Sequence, residues 1–179
     1  SLLANWDLQA TPDSLGATLA VLTLHFLNGA DEAQIRPSRL VAGDIPPAIA
    51  WESLEQAVAV LLENFGRVDV PWQEVNRLRR GDVDLGMGGA PDLLHAIYGN
   101  LEEDGRFRGF VGDCHIMLIS WDAEGNLRSH SIHQYGSATL DQSSPHYADQ
   151  APLFAARQLK PVWLDEADIR ANLGRAYRP

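Results

Sequence analysis

The stretch that decides the fold is Cys114-His115-Ile116-Met117-Leu118-Ile119-Ser120-Trp121, a mostly apolar run in the second half of the chain. A run without polar alternation is typical of a β-strand that is covered on both faces. Asp122-Ala123-Glu124-Gly125-Asn126 then predicts a turn, and the more polar segment from Leu127 to about Tyr135 can return as a second strand. Because such a hairpin is only marginally stable by itself, the sequence indicates that further strands lie beside it.

The first half of the chain has the apolar spacing of helices instead. Thr11-Pro12-Asp13-Ser14 supplies N-capping groups, and Asn28-Gly29 and Gly66 supply helix ends. The apolar positions of the two predicted helices are Leu15, Leu19, Leu22 and Phe26, and then Leu54, Val58, Leu61, Leu62 and Phe65.

Shorter helical elements are predicted elsewhere. They are an amphipathic turn from Pro71 through Leu78, a helix from Asp92 to about Tyr98, a helix near Asp149–Arg157 and a last helix from Asp165 to Gly174. The predicted fold class is therefore α+β. We expect one unit over residues 1–179, mainly helical over 1–105, with the hairpin, a loop and short helices over 106–179.

Composition excludes several classes of partner. The chain has 179 residues and a formal net charge of −10, with a pI of about 4.9 and a mean hydropathy of −0.18. An acidic chain repels phosphate backbones and anionic lipids, so we expect neither nucleic acid nor a membrane as partner. The apolar start at Leu2, Leu3 and Trp6 predicts that the chain is cut from a longer one and docks on the rest.

The candidate metal and nucleophile patterns are weak. His130 and His133 lie three positions apart, so in a strand they face opposite sides, and His146 and Asp149 add only a loose pattern. Cys114 and His115 likewise point apart and cannot form a nucleophile–base pair, and we expect Cys114 to be a buried, inert thiol. No metal or cofactor is predicted to bind to this chain.

Two other features could be interpreted as functional sites, namely the N-terminal serine and a glycine-rich segment. Ser1 could act as an N-terminal nucleophile with its own α-amine as base, although a processing boundary explains it as well. Gly86-Met87-Gly88-Gly89 lacks the Lys-Ser/Thr ending of a phosphate loop, so we expect it to let backbone segments approach closely. The basic residues of Arg77–Arg80 are expected to have helix-end and ion-pair roles.

Three stretches together resemble a known family. They are Trp6-Asp7 with Asp13-Ser14-Leu15-Gly16-Ala17, then Pro71-Trp72-Gln73-Glu74-Val75-Asn76-Arg77 with Gly88-Gly89, and finally Ser144-Pro145-His146-Tyr147-Ala148-Asp149-Gln150. With the strand Cys114–Trp121, they resemble the C-terminal part of the β chain of the penicillin amidase family, especially the acyl-homoserine lactone and aculeacin-type acylases. The last string is the most specific of the three, and the likeness runs over almost all of the chain.

The resemblance implies a periplasmic hydrolase of linear amides such as penicillins, acyl-homoserine lactones or lipopeptides. It implies a precursor that cleaves itself into two chains, a fold of two stacked sheets between helical layers (αββα), and attack by an N-terminal Ser. The family's nucleophile, oxyanion residues and calcium ligands lie earlier in the precursor, so no residue here receives a catalytic role and residues 144–150 are expected to be structural. The expected partners are the remainder of the acylase and, for the whole enzyme, a small amide substrate. The rival interpretation is a free-standing, non-catalytic α+β binding or scaffold domain.

Overall fold

The computed structural model describes residues 2–30 and 42–174. Its contacts divide the chain into two compact units, Ser1–Gly112 and Asp113–Pro179. The division falls close to residue 105, which is the predicted boundary between the mainly helical part and the part with the hairpin.

The first unit begins with the two predicted helices. Helix α1 spans Leu15–Gly29, and the Ser14 side chain accepts a hydrogen bond from the Ala17 backbone N–H, as the capping pattern predicts. Helix α2 spans Pro47–Phe65 and ends at Gly66 in the left-handed conformation. The two helices pack on each other. The hydrophobic core that they help to form buries Leu22 of α1, Leu61 of α2 and Trp72.

The rest of the first unit is a mixed sheet that the sequence analysis missed. After the short helix α3 (Trp72–Val75) come the strands β1 (Asn76–Arg80), β2 (Val83–Gly86), β3 (Ile97–Leu101) and β4 (Phe107–Gly112). Their order is β2-β1-β4-β3, with β1 parallel to β4 and the other pairs antiparallel.

Two predicted helical segments are therefore wrong. The helical turn from Pro71 stops at Val75, because Leu78 is buried while the flanking arginines project the other way, which is the alternation of a strand. The helix predicted over Asp92–Tyr98 is absent from the described chain, where turns lead into β3. The predicted helix-end role of Arg77–Arg80 is also wrong, because these residues lie in strand β1 and not at the end of a helix.

The second unit contains the predicted hairpin. Strand β5 spans His115–Trp121 and pairs antiparallel with β6 (Leu127–His133) in full register. The short strand β7 (Lys160–Pro161) pairs with the other edge of β6, which gives the order β5-β6-β7. Helix α4 spans Ala151–Ala155, and helix α5 spans Glu166–Ala171 with Asp165 as its N-cap. Both helices are shorter than predicted.

The apolar strand β5 is not covered in this chain. Met117, Leu118, Ile119 and Trp121 have 47–65% of their surface exposed, so side chains on both faces of the strand meet solvent. The described residues do not provide the expected cover, because none of them packs a layer over either face of β5, which is also the edge strand of its sheet. Cys114 beside it is exposed, which corrects the expected buried thiol.

Candidate functional site

The first two family-like stretches meet each other in the first unit. The Trp72 N–H donates to the Ser14 carbonyl at 3.1 Å, and the Gln73 N–H donates to the Pro12 carbonyl at 2.8 Å. The Gln73 side-chain amide also donates to Asp13 Oδ1 at 2.7 Å. These bonds fix the start of α3 against the N-terminus of α1, so the polar groups of both stretches are occupied in holding the fold.

Trp72 and Asn76 hold the glycine segment. Trp72 Nε1 donates to the Gly89 carbonyl at 2.7 Å, and Asn76 Nδ2 lies 3.1–3.3 Å from the carbonyl oxygens of Met87, Gly88 and Gly89. Both side chains are fully buried. Gly89 has φ +85°, and a Cβ there would lie 2.8 Å from the backbone carbonyl oxygen of His95. The structure thus confirms that this segment serves close backbone approach.

Trp6 lies directly on helix α1. A Cβ at Gly16 would come within 2.5 Å of the Trp6 Cβ and Cγ atoms, so only glycine allows this contact. Trp6 Nε1 donates to the Gln9 carbonyl at 2.9 Å. The first family-like stretch is therefore a packing contact that anchors the N-terminal segment.

The string Ser144–Gln150 forms a compact loop in the second unit. The His146 N–H donates to Ser144 Oγ at 3.2 Å, and the Tyr147 N–H donates to the Ser144 carbonyl at 3.1 Å. The ring Nδ1 of His146 lies 2.8 Å from Asp149 Oδ2. The motif therefore closes on itself through turn-type hydrogen bonds.

The same loop is bound to the chain that leaves β6. The Gln150 N–H donates to the Tyr135 carbonyl at 2.7 Å, and the Ala138 N–H donates to the His146 carbonyl at 3.1 Å. Gln150 Oε1 accepts the N–H of His133 at 3.1 Å. A Cβ at Gly136 would collide with the His146 carbonyl and lie 2.5 Å from Asp149 Oδ1. This web of contacts fits the expected structural role of the motif.

Ser144, His146 and Asp149 have the residue types of a hydrolytic triad, but not its geometry. A triad needs the serine hydroxyl on the imidazole and the imidazole on the carboxylate. The second contact is present, whereas within residues 2–30 and 42–174 the Ser144 hydroxyl bonds to backbone and not to the His146 ring. The side chain of His146 is 63% exposed. The loop can orient an imidazole, but it does not form a nucleophile–base pair.

Three acidic side chains of the first unit form an ion-pair network with arginines of β1. Arg79 binds Asp84, Glu102 and Asp104, and Arg77 also binds Asp84. The hydrogen bond from Arg79 lowers the pKa of Asp104, and this outweighs the opposing effect of burial. Burial raises the pKa of Asp84, but the hydrogen bonds and charges of Arg77 and Arg79 lower it by more.

These carboxylates do not fit a metal ion. In the described part of the chain, no group of three or more His, Cys, Asp or Glu side chains could hold one. His130 and His133 alternate along β6 and so project to opposite faces, as the spacing predicts.

A cleft of about 610 Å³ lies in the first unit. It is lined by the end of α1, by α2 and by β3, and His25 is its titratable imidazole. Burial lowers the pKa of His25, whose ring packs edge-on to Phe26 and Phe107. These contacts with aromatic rings indicate a packing role. Ser1, the predicted alternative nucleophile, lies outside the described residues.

Comparison with known proteins establishes the family. Residues 1–171 match the sequence model of the penicillin amidase family, which covers nearly the whole chain. The chain therefore belongs to the penicillin amidase family, a family of acylases.

The individual relatives are distant and longer. The chain is 28% identical over 107 residues to the acyl-homoserine lactone acylase PvdQ of Pseudomonas fluorescens, a stretch that covers 58% of this chain and 14% of that protein. A solved structure of a thermostable penicillin G acylase from Alcaligenes faecalis aligns over 93% of this chain and 29% of its own, with 18% identity and a TM-score of 0.34. The chain thus spans a small part of the length of the relatives that it matches. None of the helices in its described residues is long and apolar enough to cross a membrane.

Sequence reasoning missed the sheet of the first unit, although the expected ion-pair role of Arg77–Arg80 is confirmed for Arg77 and Arg79. One signal could have found the sheet: Gly81-Asp82 separates two short runs by two residues, which is a hairpin spacing, and Gly81 has φ +58°. The contacts of Asn76 with residues 87–89 follow from the same hairpin, because β2 brings the glycine segment back beside the start of β1.

Proposed function

We propose that this chain is the C-terminal structural part of an acylase that hydrolyses linear amides, with the catalytic serine outside the chain. Family membership supports the reaction class, and the name of the Pseudomonas relative supports acyl-homoserine lactones as one substrate class, beside penicillins and lipopeptides. The proposed nucleophile is an N-terminal Ser hydroxyl activated by its own α-amine.

The observation that carries this proposal is the exposed edge strand β5. Its apolar side chains Met117, Leu118, Ile119 and Trp121 stand in solvent on both faces, and β5 pairs only with β6 among the described residues. An apolar edge strand of this kind is an aggregation hazard in a free protein. A further strand and a covering layer from the rest of the acylase would remove that hazard.

The family-like stretches support a structural role. Trp72 and Asn76 hold the backbone of the glycine segment, Trp6 packs on Gly16, and the loop around His146 is bound to the end of β6. In each case the polar groups point at the protein's own backbone. This usage is typical of residues that shape a fold for a reaction carried out elsewhere.

The wider context is proposed on the same basis. The chain would contribute outer helices and sheet strands to an αββα sandwich, with the remainder of the acylase as its partner. We propose a periplasmic location and, for the parent protein, any calcium ligands outside this chain.

The experiment is native mass spectrometry of the purified acylase with N-terminal sequencing of every chain, followed by amide hydrolysis assays on the assembly and on the 179-residue chain. We expect a complex that contains more chain than these 19.7 kDa, active as an assembly, and an isolated chain without activity. The Ser1→Ala variant tests the alternative nucleophile and should leave the activity of the assembly unchanged.

Two results would overturn the proposal. Hydrolysis by the isolated chain that Ser1→Ala abolishes would place the nucleophile at Ser1. A stable monomer with a protected β5 and an acylase that works without this segment would favour the free-standing scaffold domain.

A further inference from the structure

His115 and His133 face each other across the hairpin of the second unit. They are directly paired in the register of β5 and β6, and their rings stack with centroids 4.6 Å apart and planes 25° from parallel. Both side chains are exposed. They are 18 positions apart in the sequence (133 − 115), so only the strand register brings the two imidazoles together.

The backbone places this pair at the closest spacing that a sheet offers. The Gln134 N–H donates to the Cys114 carbonyl at 3.2 Å, so the neighbouring pair His115/His133 is of the non-hydrogen-bonded type. In such pairs the Cα atoms are about 4.5 Å apart and the side chains stand side by side. The His133 N–H points to the other edge of β6, where Gln150 Oε1 accepts it at 3.1 Å.

The spacing of the two imidazole centroids, although not their stacked orientation, matches that of two ligands of one metal ion. With metal–nitrogen bonds of about 2.0–2.1 Å, each ring centroid lies about 3.2 Å from the ion. Two centroids are then about 4.5 Å apart at a 90° angle and about 5.2 Å apart at a tetrahedral angle. The observed 4.6 Å lies in this range. Rotation of the exposed rings about the Cβ–Cγ bond would turn one nitrogen of each toward the ion.

We propose that His115 and His133 form a two-imidazole site for a divalent transition-metal ion such as Zn²⁺, Ni²⁺ or Cu²⁺, with water completing the coordination. Borderline ions of this kind prefer imidazole ligands. The site needs only the register of the hairpin, so binding to the 179-residue chain tests it without any assay of amide hydrolysis. By clamping β5 to β6, a bound ion would stabilise the strand that this chain leaves at the edge of its sheet.

The chain offers a matched control on the same strand. His130 is also exposed, but it alternates to the opposite face and pairs with Leu118, which is no ligand. The His130→Gln variant therefore removes one imidazole from β6 without touching the site. A Cys114→Ser background removes the exposed thiol as a competing ligand in all variants.

The test is a titration of the 179-residue chain with Ni²⁺ and Zn²⁺, read by calorimetry and by long-range ¹H–¹⁵N spectra that resolve each imidazole. We expect one ion per chain and shifts confined to His115 and His133. His115→Gln or His133→Gln should each weaken binding at least about tenfold, the double variant little more, and His130→Gln less than about twofold. Circular dichroism checks that the hairpin persists in each variant.

Other results would overturn the site. Equal weakening by His130→Gln and His133→Gln would indicate diffuse surface binding. Shifts centred on the His146 ring would move the ion to the loop, and affinity unchanged in the double variant would exclude both imidazoles.

Discussion

Trp72 and Trp121 lie in different units of the chain and have opposite environments. Trp72 is fully buried beside α1 and donates its indole N–H to the Gly89 carbonyl, whereas Trp121 on β5 is 65% exposed. The first unit thus buries its large apolar groups and uses its polar groups internally. The second unit fastens a loop to a hairpin but leaves one strand of that hairpin uncovered.

This difference indicates which of the two units has a hydrophobic core of its own. The first unit has its own core, in which residues from α1, α2, α3 and β4 pack together. The second unit buries few large apolar side chains, chiefly Ile132 and Phe154. We therefore expect core substitutions in the first unit to lower the free energy of unfolding of the isolated chain. Substitutions on β5 should lower stability mainly in the proposed assembly with the remainder of an acylase.

The largest expected effect is the loss of Trp72. Trp72→Ala should lower the free energy of unfolding of the first unit by about 3–5 kcal/mol, because it leaves a cavity and removes the shorter of the two hydrogen bonds to the Gly89 carbonyl. Urea unfolding followed by far-UV circular dichroism measures it. Trp121→Ala is the matched control and should change the isolated chain by about 0.5 kcal/mol or less. Similar losses in both variants would remove the contrast between the units.

Gly136→Ala should have the next largest effect. Its Cβ would collide with the His146 carbonyl, so the loop 144–150 must move away from β6 at a cost of about 1–3 kcal/mol. Thermal unfolding and amide exchange of Gln150 measure the change. Gly174→Ala, which meets no atom within 4 Å, should be nearly neutral. A stable Gly136→Ala variant with Gln150 still protected would contradict the structural role of the motif.

The arginine network makes the first unit sensitive to acid. The pKa values of Asp84 and Asp104 are lowered in the folded state, so their contribution to stability is present at neutral pH and is lost as the pH falls through those lowered values. Arg79→Met should therefore lower stability near neutral pH and flatten its decline in acid. Unfolding free energies measured across the acid range report the slope.

The control for this network is an exposed pair in the second unit. Arg170 and Glu166 form an i,i+4 pair whose side chains are 74% and 77% exposed. Because exposed pairs contribute little, Arg170→Met should leave both the stability and its pH slope nearly unchanged. An unchanged acid slope in Arg79→Met would show that the network does not set the acid response.

The smallest expected effect concerns His146. His146→Gln removes its contact with Asp149, which is largely exposed, so stability should fall by less than about 1 kcal/mol. In the assembled acylase, kcat/KM for an amide substrate should stay within about twofold. A loss of kcat by orders of magnitude with normal folding would instead assign His146 a catalytic role.

Local patterns predicted the elements that local chemistry controls. The Ser14 cap, the Gly66 end and the hairpin around Asp122–Asn126 are confirmed, because each is determined by neighbouring residues. The sheet of the first unit was missed because its strands are short and rich in Arg and Asp, and β1 pairs with β4 thirty residues away. The exposure of β5 could not be predicted either, because an apolar run indicates a covered strand but not whether the same chain supplies the cover.

The candidate site likewise combines features that local sequence determines with features that depend on long-range pairing. The Ser144–Gln150 string was recognisable as a motif, and its internal turns are local. Its attachment to Gly136, and the pairing of His115 with His133, depend on register and on chain return. Neither of these two contacts can be predicted from the spacing of residues along the sequence.

Hydrogen–deuterium exchange of the β5 amides tests the central claim most directly, with the 179-residue chain compared with the assembled acylase. In an edge strand every second N–H points away from its partner, so we expect part of His115–Trp121 to exchange fast in the isolated chain. The same amides should be strongly protected in the assembly, with β6 as the internal reference. Exchange at β5 that is equally fast in both samples would contradict the proposal that the rest of the acylase covers this strand.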